Sequence, residues 1–318
     1  KVEEKTWVSP FLGFTESTIV LGSVVILFAV FVIVQFQYFF GGQANIGVDG
    51  YTYSEYARKG FGELVIVALF SLFMLLGLGA ITRRATENQR RTFSGLGVGL
   101  VALLIVMLIA AFQRLVLYEA AYGFSRLRTY THLFMIWLGL LLVAVVVLEG
   151  LRRERVMALA MVLAALGFIL SLNLLNVDAF IVRQNLQREI QSTTDKTFAQ
   201  GRADLDAQYF LDLSDDAIPP LVDAFQSKST PATVKEKIGA ALACKLHERQ
   251  QVEKHTCPGG RCQGIPWQGF HFARLHADRA FQQVDQALEA YQIIAKDWPV
   301  MVETPGGEEF SCFPYYYD

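Results

Sequence analysis

Apolar and polar positions divide the chain into two unlike parts. Five apolar blocks, at 17–40, 61–82, 94–117, 131–148 and 156–176, fill the first part, whereas residues 177–318 intersperse charge with apolar positions at helical spacing. The first block runs 24 residues without a charge, and about 20 apolar residues suffice to cross a hydrocarbon core of roughly 30 Å. The pattern predicts an all-α polytopic membrane protein. Residues 1–16 read as an interfacial approach, 17–176 as a domain of about five transmembrane helices, and 177–318 as an extracytoplasmic helical domain. Trp7, Phe11 and Phe14 beside Lys1 and Lys5 suit the headgroup level, where aromatic rings concentrate.

Charge between the blocks orients them. Arg83, Arg84, Arg90 and Arg91 fill one link and Arg152, Arg153 and Arg155 another; two spans separate the links, so both lie on one side. Short links rich in arginine stay cytoplasmic. Residues 41–60, 118–130 and 177–318 are then expected outside. Gly95, Gly97 and Gly99 open the third span, with Gly77 and Gly79 in the second; small residues there read as close helix packing.

In the polar part a helix is expected over 177–200, stopping near Gly201. Ser214 or Asp215 is placed to cap a helix carrying Pro219 and Pro220 in its first turn. Thr230 reads as the N-cap of a helix beginning at Pro231 and running to about 249. A Gly/Pro loop at 255–267 precedes a long helix over 271–296, with an irregular tail bearing Phe313, Tyr315, Tyr316 and Tyr317.

Composition agrees with the partition. The chain is 53% hydrophobic and 18% charged, with mean hydropathy +0.33, against about a quarter charged in soluble domains. A net charge of -2 and the absence of a dense basic tract argue against nucleic acid as a partner. The chain opens on Lys1 rather than Met, so further sequence upstream is expected.

Two constellations could carry chemistry. A polar ring is expected at the outer ends of the spans, from Tyr56, Arg58 and Glu63 on one side and Arg114, Tyr118, Glu119, Tyr122, Arg126 and Arg128 on the other. Arg114, Tyr118 and Tyr122 share a helical stripe, and Glu63 lies at a depth suited to pair with Arg114. The ring reads either as an anion, headgroup or transport-gate site or as a clamp that fixes helix register. The span centres offer almost no ionisable group, which weighs against transport.

The second set is Cys244, Cys257, Cys262 and Cys312, all in the part placed outside. An even number there reads as two disulfides, with Cys257–Cys262 and Cys244–Cys312 favoured. The competing reading is a metal site drawing on Cys244, His247, His255, Cys257 and Cys262, although that spacing is no recognised zinc pattern. Free or intermolecular thiols are the third option. His271 and His276 read as helix-surface residues. The sequence contains no P-loop, G-x-S-x-G, H-E-x-x-H or kinase motif, and no catalytic residue, metal or cofactor is expected.

The stretches FAVFVIVQFQYFFGG, YTYSEYARKGFGELVIVALF and QRLVLYEAAYGFSRLRTYTHLFMIWLG, and later LDAQYFLDLSDDAIPPL, occur in order. Over roughly residues 14–225 they resemble a bacterial multi-pass membrane family known as a domain of unknown function. Tyr56, Arg58, Gly60, Phe61, Glu63, Arg114, Tyr118, Tyr122, Gly123, Arg126 and Arg128 carry the likeness. The resemblance implies a polytopic bacterial inner-membrane protein with further spans upstream, and brings no activity or cofactor. The resulting expectation is a non-catalytic membrane accessory, scaffold or assembly component. Its partners would be the lipid bilayer and a protein bound by the outer domain. The alternative is a transporter or lipid-handling protein using the outer ring.

Overall fold

The computed structural model describes residues 11–40, 61–153, 156–194, 204–256, 271–295 and 300–313. The chain forms two compact units: Lys1–Glu119 with Tyr130–Ser171, and Ala120–Thr129 with Leu172–Asp318.

The first unit is a bundle of α1 (Phe14–Phe40), α2 (Phe61–Ile81), most of α3 (Glu87–Tyr122) and α4 (Arg126–Gly150), and α5 (Met157–Leu174) up to Ser171. Leu, Val, Ile, Ala and Phe dominate each run, and backbone hydrogen bonds closed within a helix are one of the two arrangements that lipid tolerates. Among the described residues four helices are long and apolar enough to cross a membrane: Phe14–Val34 within α1, then α3, α4 and α5; the apolar stretch of α2, Val65–Ile81, is shorter. Leu21, Leu72, Leu100, Leu104, Leu115 and Leu142 form the inner seam. Ile26, Phe70, Ile109 and Leu170 are all more than half exposed, as expected of side chains that face acyl chains rather than water.

Small residues allow close approach at particular points. A Cβ on Gly97 would lie 3.1 Å from Leu75, whereas Gly77, Gly79, Gly95 and Gly99 have nothing within 4 Å of theirs. The close packing expected of the Gly95/Gly99 pair is therefore centred on Gly97. On α5, which has no buried residue, Gly167 receives the Trp137 ring. The indole N–H donates to Ser171 Oγ at 3.0 Å, and Phe134 meets Phe168 edge-on at 5.8 Å.

Two local devices shape one end of this bundle. Phe11 and Leu12 donate their amides to Ile81 O at 3.1 Å each, Arg83 N–H returns to Leu12 O at 2.9 Å, and Ser17 and Thr82 share a buried hydroxyl contact of 2.7 Å. The end of the interfacial segment is thus tied to the end of α2. Thr86 and Gln89 form a reciprocal capping box at α3: Gln89 N–H donates to Thr86 Oγ1, and Gln89 Oε1 accepts from Ala85 and Thr86 amides.

The second unit contains the 120–129 turn, α6 (Val177–Thr194), 3-10 turns at Gln208–Asp212 and Asp215–Ala217, and α7 (Ile218–Gln226). Then follow α8 (Ala232–Thr256), α9 (Phe272–Gln282), α10 (Asp285–Leu288) and strands β1 (Gln292–Ala295), β2 (Met301–Glu303) and β3 (Glu309–Ser311). Its core centres on Ile181, Phe210, Ile218, Leu221, Ile238 and Leu242, each wholly buried. Asn176 takes φ 46° between α5 and α6, which breaks the helix there. Pro219 and Pro220 sit in the first turn of α7, where a missing N–H costs least.

Several expectations change. The expected 271–296 helix is replaced by α9, the short α10 and β1. The expected irregular tail pairs into an antiparallel sheet in the order β1-β2-β3, so the fold is mostly helical rather than all-α. Val302 is fully buried between half-exposed or exposed neighbours, the period-2 pattern of a strand. The β2–β3 loop closes through Thr304, whose N–H donates to Glu308 O at 2.9 Å, while Gly307 turns at φ 81°. Helix α8 runs beyond 249. Neither expected cap hydroxyl acts as one: Ser214 makes no side-chain cap bond, and Thr230 Oγ1 is buried without a hydrogen-bond partner among the described residues.

Candidate functional site

The predicted polar ring is divided. Tyr56 and Arg58 lie outside the described residues, as does the Glu63 side chain and with it the Glu63–Arg114 pairing. Arg114, Tyr118 and Glu119 belong to the first unit, and Tyr122, Arg126 and Arg128 to the second.

In the first unit Glu119 is 2% exposed. His132 on α4 brings Nδ1 to 3.1 Å and 3.4 Å from its two oxygens, and the His132 ring packs edge-on against Phe112 at 4.4 Å. An ionisable group at such a position requires a partner. The partner is a histidine that the expected ring does not include.

In the second unit the motif AYGFSRLR is a turn held by several side-chain hydrogen bonds. Gly123 adopts φ 79°, and a Cβ there would stand 2.6 Å from Asn185 Oδ1. Asn185 on α6 uses both ends of its amide on one residue. Its Oδ1 accepts from Phe124 N–H at 2.7 Å and its Nδ2 donates to Phe124 O at 3.0 Å. Arg128 Nη1 donates to Gly123 O at 2.5 Å, and Arg188 Nη1 donates to Ala121 O at 2.9 Å. Both arginines thereby neutralise carbonyls near a helix C-terminus, where partial negative charge gathers. Phe124 stacks edge-on against Phe180 at 5.5 Å.

Arg126 anchors the other side of the turn. Its Nε and Nη2 donate to the two oxygens of Asp178 at 2.8 Å and 2.5 Å, a bidentate pair. Asp178 Oδ2 also accepts the Ser214 amide at 2.8 Å, and Asp212 lies 3.9 Å from Arg126 Nη1. Tyr209 OH accepts the Arg126 amide at 2.8 Å. Burial acts to raise the Asp178 carboxyl, but the Arg126 and Ser214 hydrogen bonds outweigh it and hold the group below the usual carboxylate value. Burial pushes the Tyr209 hydroxyl up.

Behind this clasp, Lys245 on α8 donates from Nζ to Leu213 O at 2.6 Å and Leu211 O at 3.1 Å, and burial lowers its pKa. Arg249 one turn on bridges Asp215 at 3.0 Å and Asp278 at 2.9 Å. Asp212, and Asp215 which by sequence suits a cap, are thus partners of arginines. Asp178, Asn185, Arg188, Tyr209, Ser214 and Lys245 complete the cluster, and no sequence signal marks them as its members. Their partners are 32 to 83 positions away in the chain, so no spacing rule could join them.

Cys244 and Cys312 are joined in a disulfide, with Cα atoms 5.2 Å apart. The bond links α8 to the end of the sheet and takes up Cys244, one of the residues on which the metal reading drew. Cys257 and Cys262 lie outside the described residues, as does the His255 side chain. Among the described residues no group of three or more His, Cys, Asp or Glu gathers to hold a metal ion. His247 Nε2 lies 3.4 Å from Gln251 Nε2 on its own helix.

No curated protein and no solved structure matches the chain. The family model described as "Domain of unknown function (DUF4153)" matches residues 1–224. That match takes in the five apolar helices, the turn at 120–129, α6 and the two 3-10 turns, and stops within α7. The clasp lies inside it and the disulfide and sheet beyond it, and the chain belongs to this family of multi-helix membrane-type domains of unknown function.

Proposed function

We propose that the protein is a non-catalytic component of the bacterial inner membrane that displays its second unit outside the cell membrane as a platform for a protein partner. The apolar stretch of α2, Val65–Ile81, is taken as a fifth span, which fits the arginine-dense links on one side. The disulfide in the C-terminal region is consistent with an oxidising compartment for that unit. One observation carries the reading: Arg126 and Arg128 donate to Asp178 and to main-chain oxygens of the second unit. A gate or anion site needs such groups aimed at a passing ligand, whereas a scaffold uses them to fix a turn. Exposed Phe272 and Ile294 on the second unit supply apolar contact of the kind interfaces use.

A second reading rests on Glu119 and His132. A buried acid–imidazole pair near the end of a membrane helix suits a proton-linked transport step. Glu119→Gln separates the two. A scaffold predicts altered stability with partner binding retained at full occupancy, and transport predicts a folded protein that has lost solute flux in proteoliposomes.

Mild-detergent extraction from native membranes, followed by size analysis and identification of stoichiometric companions, tests the leading reading. A defined partner set that leaves when the second unit is destabilised supports it. Recovery as a lone monomer or homo-oligomer overturns it.

A further inference from the structure

A cavity of about 290 Å³ opens where the C-terminal ends of α2 and α4 meet the N-terminal ends of α3 and α5. Its walls are almost wholly apolar, with Leu75, Val101, Val145 and Met161 among them, and two of its lining groups are charged: Arg84 and Glu149. Arg84 is held in the lining, its Nη2 donating to Gly79 O at 2.8 Å and its guanidinium 5.0 Å from the centre of the Phe93 ring. From Phe93 to Val101 the wall descends eight residues of helix, about 12 Å. An apolar slot of that length with one cation and one anion in its lining matches a single membrane component. Its acyl chain would fill the slot, its phosphate would meet Arg84, and a primary ammonium would meet Glu149.

The surroundings bear on this choice. In sequence the adjoining links carry Arg83, Arg90, Arg91, Arg152, Arg153 and Arg155 in addition to Arg84, against Glu87, Glu149 and Glu154. Glu87 is occupied by Arg152 and Arg91, and among the described residues Glu149 is the carboxylate that lines the cavity. Basic pockets between membrane helices commonly recruit purely anionic headgroups, but a carboxylate in the wall repels these and attracts an ammonium. Helix α5, which has no buried residue, forms one side of the slot through Met157, Ala158 and Met161. We propose that this cavity binds a zwitterionic aminophospholipid of the phosphatidylethanolamine class.

The test uses the full chain in mild detergent, with thermal unfolding followed as phosphatidylethanolamine, phosphatidylcholine or phosphatidylglycerol is added. Phosphatidylethanolamine should raise the unfolding temperature by several degrees more than either of the others. Glu149→Gln should erase its advantage over phosphatidylglycerol, and Arg84→Gln should weaken stabilisation by both. Because Arg84→Gln also loses the Gly79 bond, Met161→Trp serves as the second variant. It fills the slot from its least packed wall and should abolish the lipid shift while leaving the lipid-free unfolding temperature within a degree or two. Equal stabilisation by all three lipids, or a phosphatidylglycerol preference unchanged by Glu149→Gln, overturns the proposal. So does a phosphatidylethanolamine shift that survives Met161→Trp.

Discussion

Asp178 receives three hydrogen bonds, two from Arg126 and one from the Ser214 amide, and so links the turn before α4 to the start of α6 and the first 3-10 turns. Asp178→Ala removes all three and leaves a guanidinium with its main partner gone. The expected loss is about 2 kcal/mol, below the range for a wholly buried pair because Arg126 keeps 34% of its side chain exposed. A double-mutant cycle with Arg126→Ala, read by denaturant unfolding of the full chain, should return a coupling above about 1 kcal/mol. A coupling near zero contradicts the clasp. The pH dependence has a defined sign. The folded-state value of Asp178 is depressed, so its contribution is fully present above the unfolded carboxylate value near 3.9. It disappears as pH falls from there through the folded value. Asp178→Asn should therefore flatten the acid limb of the stability profile below about pH 4, and an unchanged limb would assign that limb to other carboxylates.

Gly123 is the other residue on which the turn depends. Its φ is 79°, and Asn185 Oδ1 lies 2.6 Å from where a Cβ would stand, which leaves no room for a side chain. Gly123→Ala should cost about 1–3 kcal/mol from backbone strain, with further loss if Asn185 yields. Calorimetry on the purified full chain would check it, and a neutral effect would mean that the turn has another stable conformation. The importance of Gly123, Arg126 and Arg128 was legible from the motif around them. What they touch was not, because Asp178, Asn185 and Tyr209 stand 52 to 83 positions away in the chain. Spacing rules report neighbours along one helix, and this cluster joins four separate segments.

Among elements, most of the helices declared themselves through long apolar runs or through prolines at their starts. Phe14–Phe40 and Met157–Leu174 follow from composition alone, and α7 follows from its paired prolines. The strands did not, for a physical reason. Four- and three-residue strands are too short for alternation to stand out against a preceding helical pattern. Their position is fixed by long-range links, above all the Cys244–Cys312 bond, which closes a loop of 68 residues. Chain-entropy arguments assign such a cross-link about 4 kcal/mol. Cys312→Ser, or reductant, should lower the unfolding temperature of the second unit and loosen the sheet first. Hydrogen exchange across 292–311 should speed up in advance of α6 and α7. Unchanged protection would show that the sheet holds without the bond.

At the scale of the whole molecule, the chain's own contacts divide it into two compact units, the second made of Ala120–Thr129 and Leu172–Asp318. The turn at 120–129 groups with the polar unit although both of its neighbouring helices are apolar. The family motif marks that turn, and the scaffold reading rests on it. The most direct measurement is the size and composition of the particle extracted from native membranes in mild detergent, for the unaltered chain and for Asp178→Ala. The account predicts a stoichiometric protein partner with the unaltered chain. It also predicts loss of that partner, with the membrane unit still extracted and folded, when the clasp is cut. A lone protein in both samples, or a partner retained equally by both, would contradict it.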